Sequence, residues 1–543
     1  MDRDNGSPVL KDETNVSDPA SSGITLDQGA HAQDSSTNPK DGMDLEMAKT
    51  LSYVEQMSFF REFFFVGLLC SAQFVAQFAL TSTINIINVI GDELGITNLG
   101  ILSWLVAGYS LTMGTFILLS GRCGDLVGYK NMIIFGFAWF AIWNVVAGCA
   151  VYADGQGKQV LFIFARVIGG IGPAILLPNA LGLLGATYKE GLRKDMVFSI
   201  FGACAPCGGV FGGTMSGLWS LVWWPWTFWT FGIGLLALAI LSAFILPTVP
   251  IREELRGISF KQKLEELDML GATVGITAMI LFNFAWNQAP GFGWEHPYVY
   301  VLLLIGILLF PVFFWIELKV SSKPLIPFDA LKTDVIFVLI CECCGWAAFG
   351  IWIYYIIQFF QRLRYATPLL SMAYMSPLVV AGIIAALTTG MVLSRIGPAW
   401  VMVISMLAFL TGSIITATMP VDQSYWAQSF VATLIIPFGM DMSFPAGNLI
   451  MSNAVKKEHQ GMAASLVNTV INYSISIGVG IAGTVEVNTN NGGLTHADEL
   501  VGYRNALHLA IGLSALGVFT SLRFLLKVYL RDRRTQPAQN QEK

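Results

Sequence analysis

Gly121-Arg-Cys-Gly-Asp125-Leu-Val-Gly128-Tyr-Lys130-Asn131 lies between two long apolar runs, and Gly390-Met-Val-Leu-Ser394-Arg395-Ile-Gly397 lies between two others far downstream. The outer glycines of the first stretch recur at the same spacing in the second, with Ser394 where the acid Asp125 stood and Arg395 beside it. Each stretch reads as a tight loop between two helices. Glycine lets backbones approach closely, and Asp125 can cap the next helix or pair with a base on a neighbouring one. Two copies of one loop imply a chain assembled from repeated units.

The loops belong to a chain of 543 residues that is 54% hydrophobic and only 12% charged, with 37 Phe and 15 Trp. A soluble globular chain carries about 25% charged residues. The solvent of this chain is therefore mostly lipid. The net charge of −5 is local, since residues 1–61 hold eleven acids and five bases. The near-neutral remainder shows no nucleic-acid footprint, so no nucleic-acid partner is expected. Of eight cysteines, seven sit inside apolar runs, and Cys204-x-x-Cys207 reads as small residues at a helix contact rather than a redox pair. No cleavable signal peptide opens the chain, because the first apolar run begins near Phe63. Residues 1–50 are polar and poor in aromatics and read as a disordered tail. A short amphipathic helix is expected over 47–60.

A membrane-spanning helix needs about 20 mostly apolar residues. Runs of that kind fall near 63–90, 98–120, 131–152, 159–187, 195–220, 225–248, 268–287, 297–319, 334–359, 367–393, 398–419, 426–451, 458–484 and 503–526, fourteen in all. With the N-terminus inside, the inner loops carry fifteen Lys and Arg, from Arg122 and Lys130 to Lys456 and Lys457, while the outer segments carry four: Lys158, Arg362, Arg364 and Arg504. That asymmetry predicts cytoplasmic termini.

The loop after the second run resembles the signature loop of the major facilitator superfamily, G-x-x-x-D-R-x-G-R-K. Gly121, Asp125, Gly128 and Lys130 match, and Leu126 and Tyr129 replace two of its bases. The degenerate copy at Gly390, Arg395 and Gly397 falls after the tenth run rather than the eighth. The resemblance therefore implies an all-α membrane protein of the major facilitator fold: two six-helix bundles with two additional helices between them, fourteen transmembrane helices in total. The implied divisions are a cytoplasmic tail over 1–61, an N-terminal bundle over 62–248, a linker with two inserted spans over 249–332, a C-terminal bundle over 333–527 and a cytoplasmic tail over 528–543.

Further stretches narrow the resemblance. Arg166-Val-Ile-Gly-Gly170-Ile-Gly172 is similar to a fourth-span motif whose Arg is implicated in proton handling. Gly202-Ala-Cys-Ala-Pro206-Cys-Gly208-Gly209-Val-Phe-Gly212-Gly213 is similar to the antiporter motif associated with export, with Gly209 at the proline position and Pro206 three residues earlier. Small residues at this density let helices pack closely. Trp104 to Tyr109, Trp224 to Phe228, Phe282 to Gln288, Gly439 to Pro445 and Asn468 to Ser476 resemble the fungal fourteen-span drug:proton antiporters of the aminotriazole and boron resistance type, close to low-affinity ammonium transporters. Many relatives carry an acid in the first span where this chain reads Leu80-Thr81-Ser82-Thr83. That departure leaves coupling through the first span without its group.

A charge near a membrane core costs about 2.5–3.5 kcal/mol on insertion scales, so acids there are functional candidates. Asp441 lies roughly 22 Å into the twelfth run at about 1.5 Å per residue. Glu342 lies about eight residues into the ninth run and, like Asp441, should be near the membrane middle. With Arg166 they are the proton-coupling candidates; for Asp441 a structural role bonded to neighbours stays open, and for Glu342 a place at a helix end reached through a kink. Glu317 and Glu486 are read as rim charges near the interfaces. Gln73 and Gln77, four apart and so on one face, are cavity candidates, as are Asn468 and Asn472 by the same spacing. Trp346, Tyr354, Tyr355 and Gln358 of the ninth run join them. Interhelical hydrogen bonds are the alternative for each pair. Asn283 and Asn287 share that spacing but sit on an inserted span expected at the periphery, and are discounted as ligands.

Other classes are excluded. Gly157-Lys158 lacks the preceding Gly and following Ser or Thr of a phosphate loop. No metal-ligand cluster or nucleophile–base set appears, so no metal, cofactor or enzymatic activity is expected. A channel would show repeated pore units. Two transporter readings remain: proton-coupled efflux of a small molecule, or uptake or facilitated passage of a small polar solute such as ammonium or borate. The superfamily's default implies a monomer, placed in the plasma membrane.

Overall fold

The computed structural model describes residues 58–96, 98–188, 192–249, 257–326, 333–454 and 460–539. Most of the N-terminal tail, the segment expected as an amphipathic helix up to residue 57, and the loop bases Lys189, Arg252, Arg256, Lys332, Lys456 and Lys457 lie outside them. Among the described residues the chain is helical, with no strand. Among these residues fourteen helices are long and apolar enough to cross a bilayer: α1 (Phe59–Asn85), α2 (Gly100–Val127), α3 (Tyr129–Tyr152), α4 (Gly157–Thr187), α5 (Met196–Ser220), α6 (Pro225–Ile245), α7 (Met269–Phe292), α8 (Pro297–Lys319), α9 (Thr333–Leu363), α10 (Pro368–Ile396), α11 (Pro398–Ala417), α12 (Gln428–Ala454), α13 (Ala464–Thr489) and α14 (His496–Arg531). Each expected run is one of these helices. The last continues as helix to Gln539, past the tail boundary expected at 527.

Local chemistry explains the breaks. Pro377 has no N–H to donate, and α10 divides at Ser376 into Pro368–Met375 and Pro377–Ile396. α4 divides at Gly170, and α9 closes with a π-helical turn over Phe359–Leu363.

The signature stretch differs from the expected loop. α2 runs on through Val127, so Gly121 to Leu126 are helical, and the turn narrows to Gly128, with φ 96°. Gly397, with φ 81°, makes the same turn after α10. In this region a Cβ is strained, and one glycine in each copy suffices. Both turns follow even-numbered spans. They share the end of the bundle that carries the start of α1 and the close of α14, called here the terminal end; the opposite one is the far end.

Two seams join the halves. α2 packs along α13, and α5 packs against α10. Within the N-terminal half, α5 also lies along α1. A Cβ on Gly208 would overlap the backbone of Phe74, and one on Gly212 that of Phe78, so two glycines one turn apart let α1 approach to backbone contact. The inserted pair is not symmetrical. α8 touches mainly α7, whereas α7 lies against both α2 and α13. The expectation of a peripheral α7 is therefore corrected: it covers the α2–α13 seam, with Ala272 against Leu118 of α2 and the paired asparagines bonded to Ser476 of α13, while Gly271 and Gly275 admit α8.

Replacing Gly212 by Val should force α1 from α5 and destabilise the protein by about 1–3 kcal/mol. Thermal unfolding of the full chain in detergent, read by size-exclusion, checks this; an unshifted midpoint would contradict the close packing.

Candidate transport path

Midway along the bundle, Gln77, Leu80 and Thr81 of α1 and Pro206, Gly209 and Val210 of α5 face Phe349 and Ile353 of α9, Met372, Met375 and Leu378 of α10 and Met440 of α12. They line a crevice in which about 30 Å³ admits water. That is room for about one water molecule. The wall is apolar and rich in methionine, whose flexible thioether adapts to varied shapes. Gln77 and Thr81 are the side chains with polar ends in it.

Asp441 follows Met440 and is 9% exposed. Its Oδ2 has no hydrogen-bond partner and stands beside Gly382 of α10, which also touches the ring of Pro206. Asp441 thus lies on the α5–α10 seam, with its carboxyl directed at the opposite half. Glu342 is fully buried within the C-terminal half. Trp346 Nε1 donates to its Oε2 at 2.9 Å and to Ser443 Oγ at 3.1 Å, while Oε1 abuts Gly447 without a donor. Arg166 is enclosed in the N-terminal half. It donates to the carbonyls of Ala79 at 2.9 Å and Leu105 at 3.5 Å, and its guanidinium lies 4.6 Å from the centre of the Tyr109 ring. Carbonyls and a ring face stand where a carboxylate would otherwise balance it.

The structure separates the other candidates. Gln77 lines the crevice and Gln73 is half-buried one turn away. Trp346 serves Glu342. Tyr354 lies with Tyr355 at a second junction of α2, α7, α9 and α13, which has no room for water. Asn468 and Asn472 donate to the carbonyls of Ala464 and Asn468 on their own helix, both at 2.9 Å. Asn283 and Asn287 join α7 to the seam: Asn287 Nδ2 donates to Asn283 Oδ1 at 2.6 Å, and Ser476 Oγ of α13 donates to Asn283 Oδ1 at 3.0 Å and contacts the Ala107 carbonyl of α2 at 2.9 Å. Along α5, Gly209 faces Thr81, Gly213 faces Met372, and Gly202 has open space beside it.

Glu317 and Glu486 are not rim charges; they are 2% and 5% exposed. Glu486 accepts from the Tyr355 hydroxyl at 2.7 Å. Position along a hydropathy run does not reveal this, because packing of neighbouring helices covers both ends.

In the signature region, Asp125 Oδ1 accepts from the Tyr129 hydroxyl at 2.6 Å, so the residue in place of a family base supplies the acid's partner. Lys130 is half-buried at the start of α3, Gly121 adjoins Ser465 Oγ of α13, and Arg395 is exposed near the open space beside Gly390.

The far end is sealed by polar bonds between halves. Gln361 Nε2 donates to the Asn85 carbonyl at 2.6 Å, Asn88 Nδ2 to Gln358 and Gln361 Oε1 at 3.1 and 3.0 Å, and Arg362 Nε to Asn88 Oδ1 at 3.2 Å. Every residue of α9 from Cys344 to Phe360 is buried, whereas Ile336, Ile340 and Cys343, on one face nearer the terminal end, are exposed. The halves are thus bonded to each other at the far end.

The profile of the Major Facilitator Superfamily matches residues 69–479 and, in a second overlapping match, 336–542. The chain belongs to the Major Facilitator Superfamily. It is 48% identical over 471 residues to the low affinity ammonium transporter of Saccharomyces cerevisiae, covering 87% of this chain and 90% of that one. It is 42% identical over 518 residues to the efflux pump terJ of Aspergillus terreus, covering 94% and 96%. Among solved structures, the peptide transporter POT in complex with sulfate superposes with a TM-score of 0.62 at 14% identity, covering 88% of this chain and 97% of that one. This likeness speaks to the fold.

Replacing Trp346 by Phe should leave Glu342 buried without its indole donor and destabilise the protein by about 1–3 kcal/mol. In a Glu342→Gln background the same change should cost less. A double-mutant cycle on unfolding midpoints measures the difference, and additive effects would deny the coupling.

Proposed function

We propose that this facilitator is a proton-coupled exporter of small apolar or amphipathic molecules. The observation that carries the reading is the crevice itself: a methionine-lined apolar wall with an unpartnered carboxyl, Asp441, at its edge on the seam between halves. Apolar walls hold an apolar solute by burial, and a few polar groups orient it. The kinship with an efflux pump and the spaced small residues of α5 support export.

In this reading both termini are cytoplasmic, as the asymmetry of loop bases supports, the membrane is the plasma membrane and the working unit is one chain. The rocking bodies are residues 62–248 and 333–527, with the inserted pair and its linkers between them. The far end is then the outer face, shut here by the Asn85, Asn88, Gln358, Gln361 and Arg362 bonds. When that face opens, Asp441 takes a proton from outside. The neutral carboxyl crosses with the closing seam and releases the proton at the terminal end, where substrate enters. Gly121, Asp125, Gly128 and Lys130, with Gly390, Arg395 and Gly397, form the hinges at that end. Gly202, Pro206, Gly208, Gly209, Gly212 and Gly213 give α5 its close sliding contacts. Arg166 and Glu342, each enclosed in its own half, hold those halves rigid rather than carry the proton.

A second reading, passage of ammonium or a similar small solute, is favoured by the 48% identity to an ammonium transporter. Vesicles containing the purified chain separate the two. A lipophilic fluorescent cation should move against its gradient while a pH gradient is imposed and stop when it is collapsed, and Asp441→Asn should reduce this to the rate of empty vesicles. Movement of methylammonium that ignores the pH gradient, with no movement of the dye, would instead establish the second reading.

A further inference from the structure

The inserted helices are tied to both halves at the terminal end by charged groups that the transport path does not use. Asp268 caps α7, its Oδ1 accepting the Gly271 N–H at 3.2 Å, from a left-handed backbone with φ 45° that is strained for a residue with a Cβ. Glu317 stands near the close of α8, where its Oε2 accepts the Ile326 N–H at 3.3 Å. The two residues are 7% and 2% exposed. Their remaining oxygens, Asp268 Oδ2 and Glu317 Oε1, are buried without any donor and converge on the same space over Gly271. An ionised carboxylate only accepts, so two such oxygens in contact can bond only if one bears a hydrogen.

Arg122 of α2 binds the same region. It donates to the carbonyls of Glu266 at 3.1 Å and Lys323 at 2.8 Å, to that of Pro324, and approaches Met462 Sδ at 3.2 Å. It thereby clasps the linkers before α7 and after α8 to α2 and to the start of the α13 helix. Arg122 is the cation whose charge acts on both acids, and Asp125 of α2 and Glu266 of the linker also lie in its field. Lys323 is committed to an ion pair with Glu266.

We propose that Asp268 and Glu317 form a proton-binding site separate from the central path, and that the one proton they share keeps the Arg122 clasp assembled. With the proton, the pair carries one negative charge against one guanidinium. Without it, two carboxylates closed off from water repel each other across Gly271, with one cation to balance both. The repulsion acts on the amides of Gly271 and Ile326, where the inserted pair joins its linkers. Proton occupancy therefore sets how firmly the inserted helices are held to the two halves, whatever the direction of transport.

The test is infrared absorption of the full-length chain in lipid nanodiscs, without substrate, at the protonated-carboxyl stretch over a series of pH. Asp268→Asn and Glu317→Gln should each remove the same single band, and the double variant should remove no more, since one proton serves two residues. Asp441→Asn should leave that band in place. Over the pH interval in which the wild-type band bleaches, the Ile326 amide should lose exchange protection by roughly tenfold, the scale of one hydrogen bond to a charged group. A band that survives both single variants, two bands lost one by one, or protection that holds while the band bleaches would overturn the proposal. If a single variant does not fold, the uncharged double variant and the wild-type series decide the matter in the same way.

Discussion

The structure depends on how closely two helix surfaces can approach and still separate. In lipid no hydrophobic force drives helix against helix, so contact must come from packing and a few hydrogen bonds. The α1–α5 contact meets this with glycines that admit backbone to backbone. At the α2–α13 seam, Ser476 reaches across to the Ala107 carbonyl and α7 lies over the joint. The α5–α10 seam is different: beside the crevice it carries a proline ring, a glycine and an acid without a partner. An unsatisfied carboxyl is costly where it is closed in, and that cost falls on the surfaces that transport would part.

The sequence makes the repeat, the number of helices and the class legible because each rests on local chemistry. Length and hydropathy mark spans, and the Gly128 and Gly397 turns each need a positive φ that glycine supplies. The site is legible only in part. Asp441 and Glu342 are visible as acids in apolar runs, but one sequence does not say that the first faces α5 and α10 while the second is held by Trp346. Glu317 and Glu486 look like rim residues in the sequence because hydropathy measures depth along a helix and not the cover supplied by neighbours. Met372, Met375 and Met440 are not separable there from lipid-facing residues, since a crevice wall and a lipid face share one composition. The i, i+4 pairs Asn283/Asn287 and Asn468/Asn472 give the same signal, yet the first ties three helices together and the second satisfies its own backbone.

Likeness at 14% identity and likeness at 48% carry different weight. The peptide transporter shares the helical scaffold, which packing rules preserve through wide change of sequence. The ammonium transporter and the efflux pump cover nearly the same length of this chain at 48% and 42% identity, although one is named for ammonium and the other for efflux. A scaffold this similar therefore does not decide the cargo. The side chains around the narrow crevice are mostly thioethers, aliphatic groups and one aromatic ring, a lining that gains by burying apolar surface and offers a small cation few ligands.

Thr81 of α1 and Asp441 of α12 are best understood together. Thr81 stands in the crevice wall, and Arg166 is held by the Ala79 carbonyl and the Tyr109 ring. The N-terminal half thus holds its buried cation with carbonyls and a ring rather than with a carboxylate. The carboxyl at the crevice edge comes from the other half, at Asp441, next to the displaced Pro206. Pro206 leaves the backbone of α5 one donor short in the turn that faces this acid.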